Sequence, residues 1–253
     1  MCIRDRVGIE MKIKGKNIIL TGGTTGIGRE MVKRLKDDNR LLVIASNKNR
    51  LDSLSSEFNG ISTRQVDLAS IEEINDASEY ILREHEKVDI LINNAAVQYL
   101  PKFTDESFNI DGIEEEVAIN FTAVCRLTSL LLPALKKSSR GVIVNVNSGL
   151  ALAPKTTSAI YCATKAALDN FSRSLCYQLE SSNVDVLQAF LPLVETPMTE
   201  GRGSGKMLAS DAARAIIQGI EQGRKDNYIG KSKLLAVLMR IAPSIARNIM
   251  KKS

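Results

Sequence analysis

Short β-prone apolar runs return along this chain at regular intervals, and each is followed by a longer stretch with helical spacing. The runs are Lys16-Asn17-Ile18-Ile19-Leu20-Thr21, Leu41 to Ala45, Ile61 to Val66, Val88 to Ile92, Val142 to Val146, Val184 to Phe190 and the short Asn227-Tyr228-Ile229-Gly230. Between them lie Arg29 to Leu35, Arg50 to Phe58, Ile71 to Glu86, Glu115 to Leu135, Tyr161 to Leu179 and Ser210 to Gly219. Alternation of this kind predicts an α/β fold, a single doubly wound domain with a parallel sheet and helices on both faces. With 253 residues, 44% hydrophobic and 25% charged, the chain has the ordinary composition of one such domain.

The first apolar run breaks at Gly22-Gly23-Thr24-Thr25-Gly26-Ile27-Gly28, and a helix is expected from there. A strand, a glycine turn and a helix in that order suit a phosphate. The glycines let backbone come close, and the helix start offers free N–H groups and the positive end of its dipole. The spacing is G-x-x-x-G-x-G rather than G-x-G-x-x-G, and a glycine-rich turn without a ligand is the competing reading. After the second run an acid would bind a ribose 2′-hydroxyl, whereas a basic or small polar group tolerates a 2′-phosphate. The residues there are Ser46-Asn47-Lys48-Asn49-Arg50, with no acid, which favours NADP over NAD. The fourth run ends in Asn93-Asn94-Ala95-Ala96. Amides at a strand's carboxyl end suit a ligand crevice, although Asn also caps such ends.

Ser148 follows the Val142 to Val146 run, and Tyr161 and Lys165 lie four apart in a helical stretch. That spacing puts phenol and ammonium on one helix face. An ammonium close by favours the phenolate, and a strand-end hydroxyl suits a substrate oxygen. A surface Tyr–Lys pair is the plain alternative. Asn120 lies in a helical stretch, where an exposed or locally bonded amide is the usual case. The glycine-rich segment Thr199 to Lys206 is expected to be a loop that covers a site.

Other classes fall away. Four cysteines without a C-x-x-C pair and a single histidine give no zinc site and no disulfide framework, and they suggest a cytoplasmic setting. His85 lies in Arg83-Glu84-His85-Glu86-Lys87 and is expected to face solvent. A net charge of +5 without Trp or aromatic-interleaved basic patches gives no reason to expect nucleic acid. Residues 1–10 are expected to be a non-native leader. Met1-Cys2-Ile3-Arg4-Asp5-Arg6 can be encoded by the end sequence of a transposon-based adapter, which makes Met11 the expected native start. Residues 11–230 then form the dinucleotide-binding and catalytic domain. Residues 231–253 form a basic amphipathic extension interrupted by Pro243, either packed on the domain or on a neighbouring subunit, lying on a membrane surface, or partly disordered.

Taken together, Thr21-Gly22-x-x-x-Gly26-x-Gly28, Asp67, Asn93-Asn94-Ala95, Asn120, Ser148 and Tyr161-x-x-x-Lys165 resemble the short-chain dehydrogenase/reductase family in order and spacing. Val97-Gln98, Ser148-Gly149-Leu150-Ala151 and Tyr161 to Leu168 look like its bacterial DltE-type branch. The resemblance implies a Rossmann fold and an NAD(P)-dependent oxidoreductase acting on a carbonyl or alcohol. Tyr161 would be the general acid or base, Lys165 would lower its pKa and bind the nicotinamide ribose, Ser148 would polarise the substrate oxygen, and Asn120 would position a relay water. Gly22, Gly26, Ile27 and Gly28 would line the pyrophosphate, with Ser46 near the 2′ position. Asp67 and Leu68 would meet the adenine, Asn94 and Ala95 the adenosine ribose region, and Val194 and Thr196 the carboxamide. A homo-oligomer is implied through the helices at 115–135 and 161–179. Ala96 and Leu193 stand where the family usually has glycine. The apolar, flexible segments Leu150 to Thr157 and Pro197 to Met207 suggest an apolar substrate. The alternative is a dinucleotide-binding sensor or scaffold without turnover, with a membrane-peripheral form of it among the expectations.

Overall fold

The computed structural model describes residues 11–252, so the expected leader lies outside the described residues. Strands β1 (Asn17–Thr21), β2 (Arg40–Ala45), β3 (Ile61–Gln65) and β4 (Ile90–Asn93) alternate with helices α1 (Gly26–Leu35), α2 (Lys48–Glu57) and α3 (Ile71–Glu84). A long helix follows as α4 (Asp111–Val117) and α5 (Ala123–Lys136), joined through a π-helical turn at Ala118–Thr122. Then come β5 (Gly141–Ser148), α6 (Ala159–Gln178), β6 (Val184–Leu191), the two-residue strands β7 (Val194–Glu195) and β8 (Met207–Leu208), α7 (Ala209–Glu221) and β9 (Asp226–Tyr228). Helices α8 (Lys231–Ile241) and α9 (Pro243–Lys251) form the tail. Pro243 opens α9, where its missing N–H leaves no helical bond unmade.

The main sheet has the order β3-β2-β1-β4-β5-β6-β9, and every pair in it is parallel. Its inner strands β1, β2 and β4 are apolar on both sides because both sides are covered, whereas the edge strands β3 and β9 are polar and only partly buried. Ile18 and Leu20 of β1 pack toward Met31, Val32 and Leu35 of α1 and Ile216 and Ile220 of α7, in one core. Ile19, between them, joins Ile74 and Ile81 of α3 and Leu127 and Leu131 of α5 in the other. The order reverses between β1 and β4, and at that switch point a crevice opens beyond the carboxyl ends of the strands.

Local chemistry sets several boundaries. The Asn47 side chain accepts from Arg50 N at 2.9 Å and starts α2. Ser70 accepts from Glu73 N at 3.2 Å to start α3, and Glu73 in return accepts from Asp67 N at 2.7 Å. The helix expected from Glu115 begins earlier, at Asp111. His85, expected in solvent, is buried instead, at 8% exposure. It is the C-cap of α3, where the chain turns back to the sheet. Burial and the Arg40 guanidinium both lower its pKa.

Candidate active site and dinucleotide cleft

The glycine turn after β1 is as tight as its composition suggested. Gly22 and Gly26 have φ of 70° and 52°, in the left-handed region that favours glycine. A Cβ at Gly28 would lie 2.0 Å from the Gly22 carbonyl oxygen, so α1 starts hard against the turn. Thr21 Oγ1 accepts from Asn94 N at 3.0 Å and Ala95 N at 3.1 Å. Asn94 Nδ2 donates to Thr21 O and Gly22 O, each at 3.0 Å. The Asn94 amide therefore clamps the glycine turn to the end of β4. A Cβ at Gly26 would lie 2.9 Å from Thr196 Cγ2, so the turn also meets the segment after β7. Thus Gly22, Gly26, Ile27, Gly28, Asn94, Ala95 and Thr196 converge at one end of the sheet, around the N-terminus of α1.

The neighbouring strand ends complete the rim. Ser46 is exposed at the end of β2, its carbonyl accepting from Gln65 Nε2 at 3.1 Å, and α2 starts two residues on. Lys48 there pairs with Asp52. Beyond β3, Asp67 is exposed and accepts from Ala69 N at 2.9 Å, while Leu68 is buried. Val194 is buried in β7, which pairs with β8 to tie the ends of the 196–206 loop together. Inside that loop Gly201, Gly203 and Gly205 all have positive φ. Arg202 Nη1 reaches across to Gln98 Oε1 at 2.8 Å. Leu193 packs against the loop, where a Cβ at Gly203 would lie 2.6 Å from Leu193 Cδ2. Ala96 keeps its backbone outside the left-handed region, so its methyl carries no backbone strain there.

Ser148 ends β5, and its Oγ accepts from Leu150 N at 3.1 Å. Tyr161 lies in the first turn of α6, beside Ser148, whose side chain acts to lower the phenol's pKa. Lys165, one turn further, is 3% exposed and donates from Nζ to Val146 O at 3.0 Å. Its Nζ lies 5.6 Å from the centroid of the Tyr161 ring. Asn120, 1% exposed, sits in the π-helical turn, a local distortion common at functional sites. It accepts from Val97 N at 2.9 Å and donates to Val97 O at 2.8 Å and Thr164 Oγ1 at 3.3 Å. The structure therefore sets Ser148 beside Tyr161 and the Lys165 ammonium 5.6 Å from the Tyr161 ring, and uses Asn120 to join the β4 loop to α6.

A buried amide chain fixes this geometry. Asn93 Nδ2 donates to Asn145 Oδ1 at 2.9 Å, and Asn145 Nδ2 donates to Ser172 Oγ at 2.8 Å. Asn147 Nδ2 donates to Gln188 Oε1 at 3.1 Å, and Gln188 Nε2 donates to Asp169 at 2.8 Å. These bonds tie the ends of β4, β5 and β6 to α6, and hence Ser148 to Tyr161.

Burial dominates the electrostatics. It pushes the Tyr161 phenol well above its usual pKa, helped by Cys162 and Glu116 and opposed by the Ser148 side chain and Arg202. Burial also pulls Lys165 down to about 8. In this arrangement Tyr161 is protonated at neutral pH, and Lys165 spends a hydrogen bond on a strand carbonyl. Three neighbours were missed from the sequence. Arg202 and Glu116 act on the Tyr161 pKa, and Cys162 is buried beside it. The Gly-x-Gly-x-Gly pattern around Arg202 was a readable signal for a folded-back loop. Glu116 looked like one acid among the three at 114–116.

A family model described as short chain dehydrogenase matches residues 16–206. An uncharacterized oxidoreductase, DltE, of Bacillus subtilis (strain 168) is 32% identical, covering 85% of this chain and 88% of its own. A short-chain dehydrogenase of Sphingobium yanoikuyae, solved with NADPH, is 25% identical with a TM-score of 0.78, covering 91% and 95%. One from Burkholderia cenocepacia J2315, solved with NADP, shares the fold at a TM-score of 0.85 and 21% identity, covering 95% and 99%.

Proposed function

The chain belongs to the short chain dehydrogenase family, in its DltE-like branch, which makes it an NAD(P)-dependent oxidoreductase, and from that premise we propose that it interconverts a carbonyl and an alcohol with Tyr161 handling the proton. The observation that carries this reading is Tyr161 beside Ser148, with the buried Lys165 ammonium 5.6 Å from its ring, at the same sheet end as the glycine turn. When bound, the nicotinamide supplies or accepts the hydride. The cleft suits such a group. The glycine turn lets backbone approach a pyrophosphate, and the α1 N-terminus offers it N–H groups. Gly22, Gly26, Ile27 and Gly28 would hold the pyrophosphate, Ser46, Asp67, Leu68, Asn94 and Ala95 the adenosine half, and Val194 and Thr196 the carboxamide. Lys165 would hold the nicotinamide ribose.

In reduction, Ser148 holds the substrate oxygen and Tyr161 donates its proton there. In oxidation, Tyr161 takes the proton back. A phenol kept protonated by burial is suited to the donor role. Asn120 holds the Val97 backbone beside Tyr161 and would position a relay water toward Lys165. The substrate is proposed to be apolar, because exposed Leu193 and the half-buried Leu150 and Met198 flank the site. NADP is proposed over NAD because the end of β2 presents Ser46 and no acid. The NADPH complex of the Sphingobium protein supports this choice. Titration of nicotinamide fluorescence is expected to show NADPH binding at least about tenfold tighter than NADH. Equal or tighter NADH binding would reject the preference. Binding without turnover of any carbonyl in a broad panel would favour a sensor or scaffold.

The surface supports further parts of the proposal. The continuous helix Asp111–Lys136 is long and apolar enough to cross a membrane by length and composition, and 39% of its most apolar stretch is buried. Its Leu127 and Leu131 enter the core. The apolar residues left over, with exposed Val117 and with Tyr177 of α6, support the expected homo-oligomer through these helices. The tail favours peripheral membrane contact from the cytoplasmic side. Leu234, Val237 and Ile241 of α8 and Ile245 and Ile249 of α9 are exposed. Residues 231–253 hold six Lys or Arg and no acid. Such a basic, apolar surface suits an anionic bilayer. The protein is expected to sediment with vesicles of phosphatidylcholine and phosphatidylglycerol but not of phosphatidylcholine alone. Ile241→Asp combined with Ile245→Asp should abolish the effect. Wild-type protein left in the supernatant with anionic vesicles would remove the membrane from the proposal.

A further inference from the structure

Between the start of α4 and the start of α6 lies a cavity of about 160 Å³, lined by none of the residues given a cofactor or proton role above. Its apolar walls include Pro101, Phe108, Ile113 and Ile160. Gly112 forms part of the wall, because a Cβ there would lie 3.0 Å from the Tyr99 ring. A cavity of roughly 150 Å³ with such walls accepts a benzene-sized molecule.

Two buried polar groups break the apolar lining. Ser158 is 2% exposed, and its Oγ has no hydrogen-bond partner among the described residues. It is the N-cap residue of α6, yet its side chain does not cap the helix. Its backbone, at φ 58° and ψ 47°, is the only non-glycine left-handed conformation among the described residues. A serine at a helix start normally turns its hydroxyl onto the second or third helical N–H. Here the left-handed backbone goes together with a hydroxyl that makes no such bond. Glu116 is also 2% exposed and lines the same cavity. One carboxyl oxygen accepts from Tyr99 N at 2.8 Å. Burial, then repulsion from Glu115, raises its pKa against that bond.

We propose that this cavity is a binding site for a small monocyclic alcohol or phenol, whose hydroxyl accepts from Ser158 Oγ and donates to Glu116. The walls take the ring and the two side chains take both sides of one hydroxyl. An anion is disfavoured, since Glu115 and Glu116 both lie on α4 beside it. Ser158 lies three residues before Tyr161 on α6, and Glu116 four before Asn120 on the α4–α5 helix. An occupant bridging Ser158 and Glu116 therefore fastens together the two helices that carry Tyr161 and Asn120.

The test is a titration of the full chain, isoleucine-methyl-labelled, with phenol and with toluene, followed by NMR in the absence of nicotinamide. Phenol is expected to shift the Ile113 and Ile160 methyls saturably, at least fivefold more tightly than toluene. Ser158→Ala should weaken phenol about fivefold and leave toluene unchanged. Ser158→Gly, which relieves the left-handed backbone and so guards against misfolding, should do the same. The proposal is wrong if phenol leaves those methyls unmoved. It is equally wrong if phenol and toluene bind alike, or if Ser158→Gly binds phenol as wild type does. No cofactor or turnover enters the measurement, so its failure leaves the oxidoreductase proposal standing.

Discussion

Tyr161→Phe is expected to lower turnover by about 10³-fold while NADPH affinity stays within about twofold of wild type, within the range a positioned acid–base group contributes. The substitution removes one oxygen and keeps the ring, so α6 should pack as before. What is lost is the proton that burial keeps on the phenol beside Ser148. Lys165 keeps its bond to Val146 O, and the glycine turn is untouched. The measurement is NADPH oxidation with a panel of apolar aldehydes and ketones, beside a fluorescence titration of NADPH on the same preparation. Near wild-type turnover would show that Tyr161 does not carry the proton. Lost turnover with equally lost NADPH binding would show that the phenol serves the cofactor instead.

Much of this site could be read from the chain because its parts sit at strand ends. The apolar runs marked β1, β4 and β5, and the residue just past each run marked the crevice. The glycine turn was legible because Gly22 and Gly26 need positive φ and Gly28 has no room for a Cβ. What was not legible depends on contacts between distant segments. Asn93 reads as a ligand amide, but register with Asn145 of β5 turns it into a buried strap. Asn94 spends its side chain on Thr21 and Gly22. Glu116 is buried because the loop at Tyr99 folds over it, a pairing 17 residues apart that no local pattern announces. His85 shows the same limit from the other side. Four charged neighbours suggest water, yet the helix ends there and the ring turns inward. The π-helical turn that seats Asn120 also has no residue signature in this stretch.

Lys165→Met is expected to make the protein more stable at pH 7 while removing at least about 10²-fold of its turnover. Lys165 is 3% exposed, its one hydrogen bond is to Val146 O, and burial pulls its pKa to about 8 from a usual 10.5. Below pH 8 the side chain is charged in both folded and unfolded chains, and the cost of burying the charge is present in full. Between pH 8 and about 10.4 the unfolded chain keeps a proton that the folded one has released, so stability rises with pH across that window. The full shift corresponds to roughly 3–3.5 kcal/mol against folding at neutral pH. Losing the Val146 bond offsets part of it, which leaves a net gain of about 1–2 kcal/mol for Lys165→Met. In a chain of this size that is a Tm increase of roughly 3–6 °C. The advantage should shrink as pH rises from 8 to 10, because wild type sheds its buried charge there. Turnover and NADPH affinity of wild type should fall through the same region, as the ammonium proposed to hold the ribose disappears. Thermal melts of both proteins at pH 7 and pH 10, beside a pH profile of kcat/KM, measure each part separately. A Lys165→Met protein less stable than wild type at pH 7 would mean that the ammonium is a net structural asset. A wild-type profile flat through pH 8 would separate its charge from function.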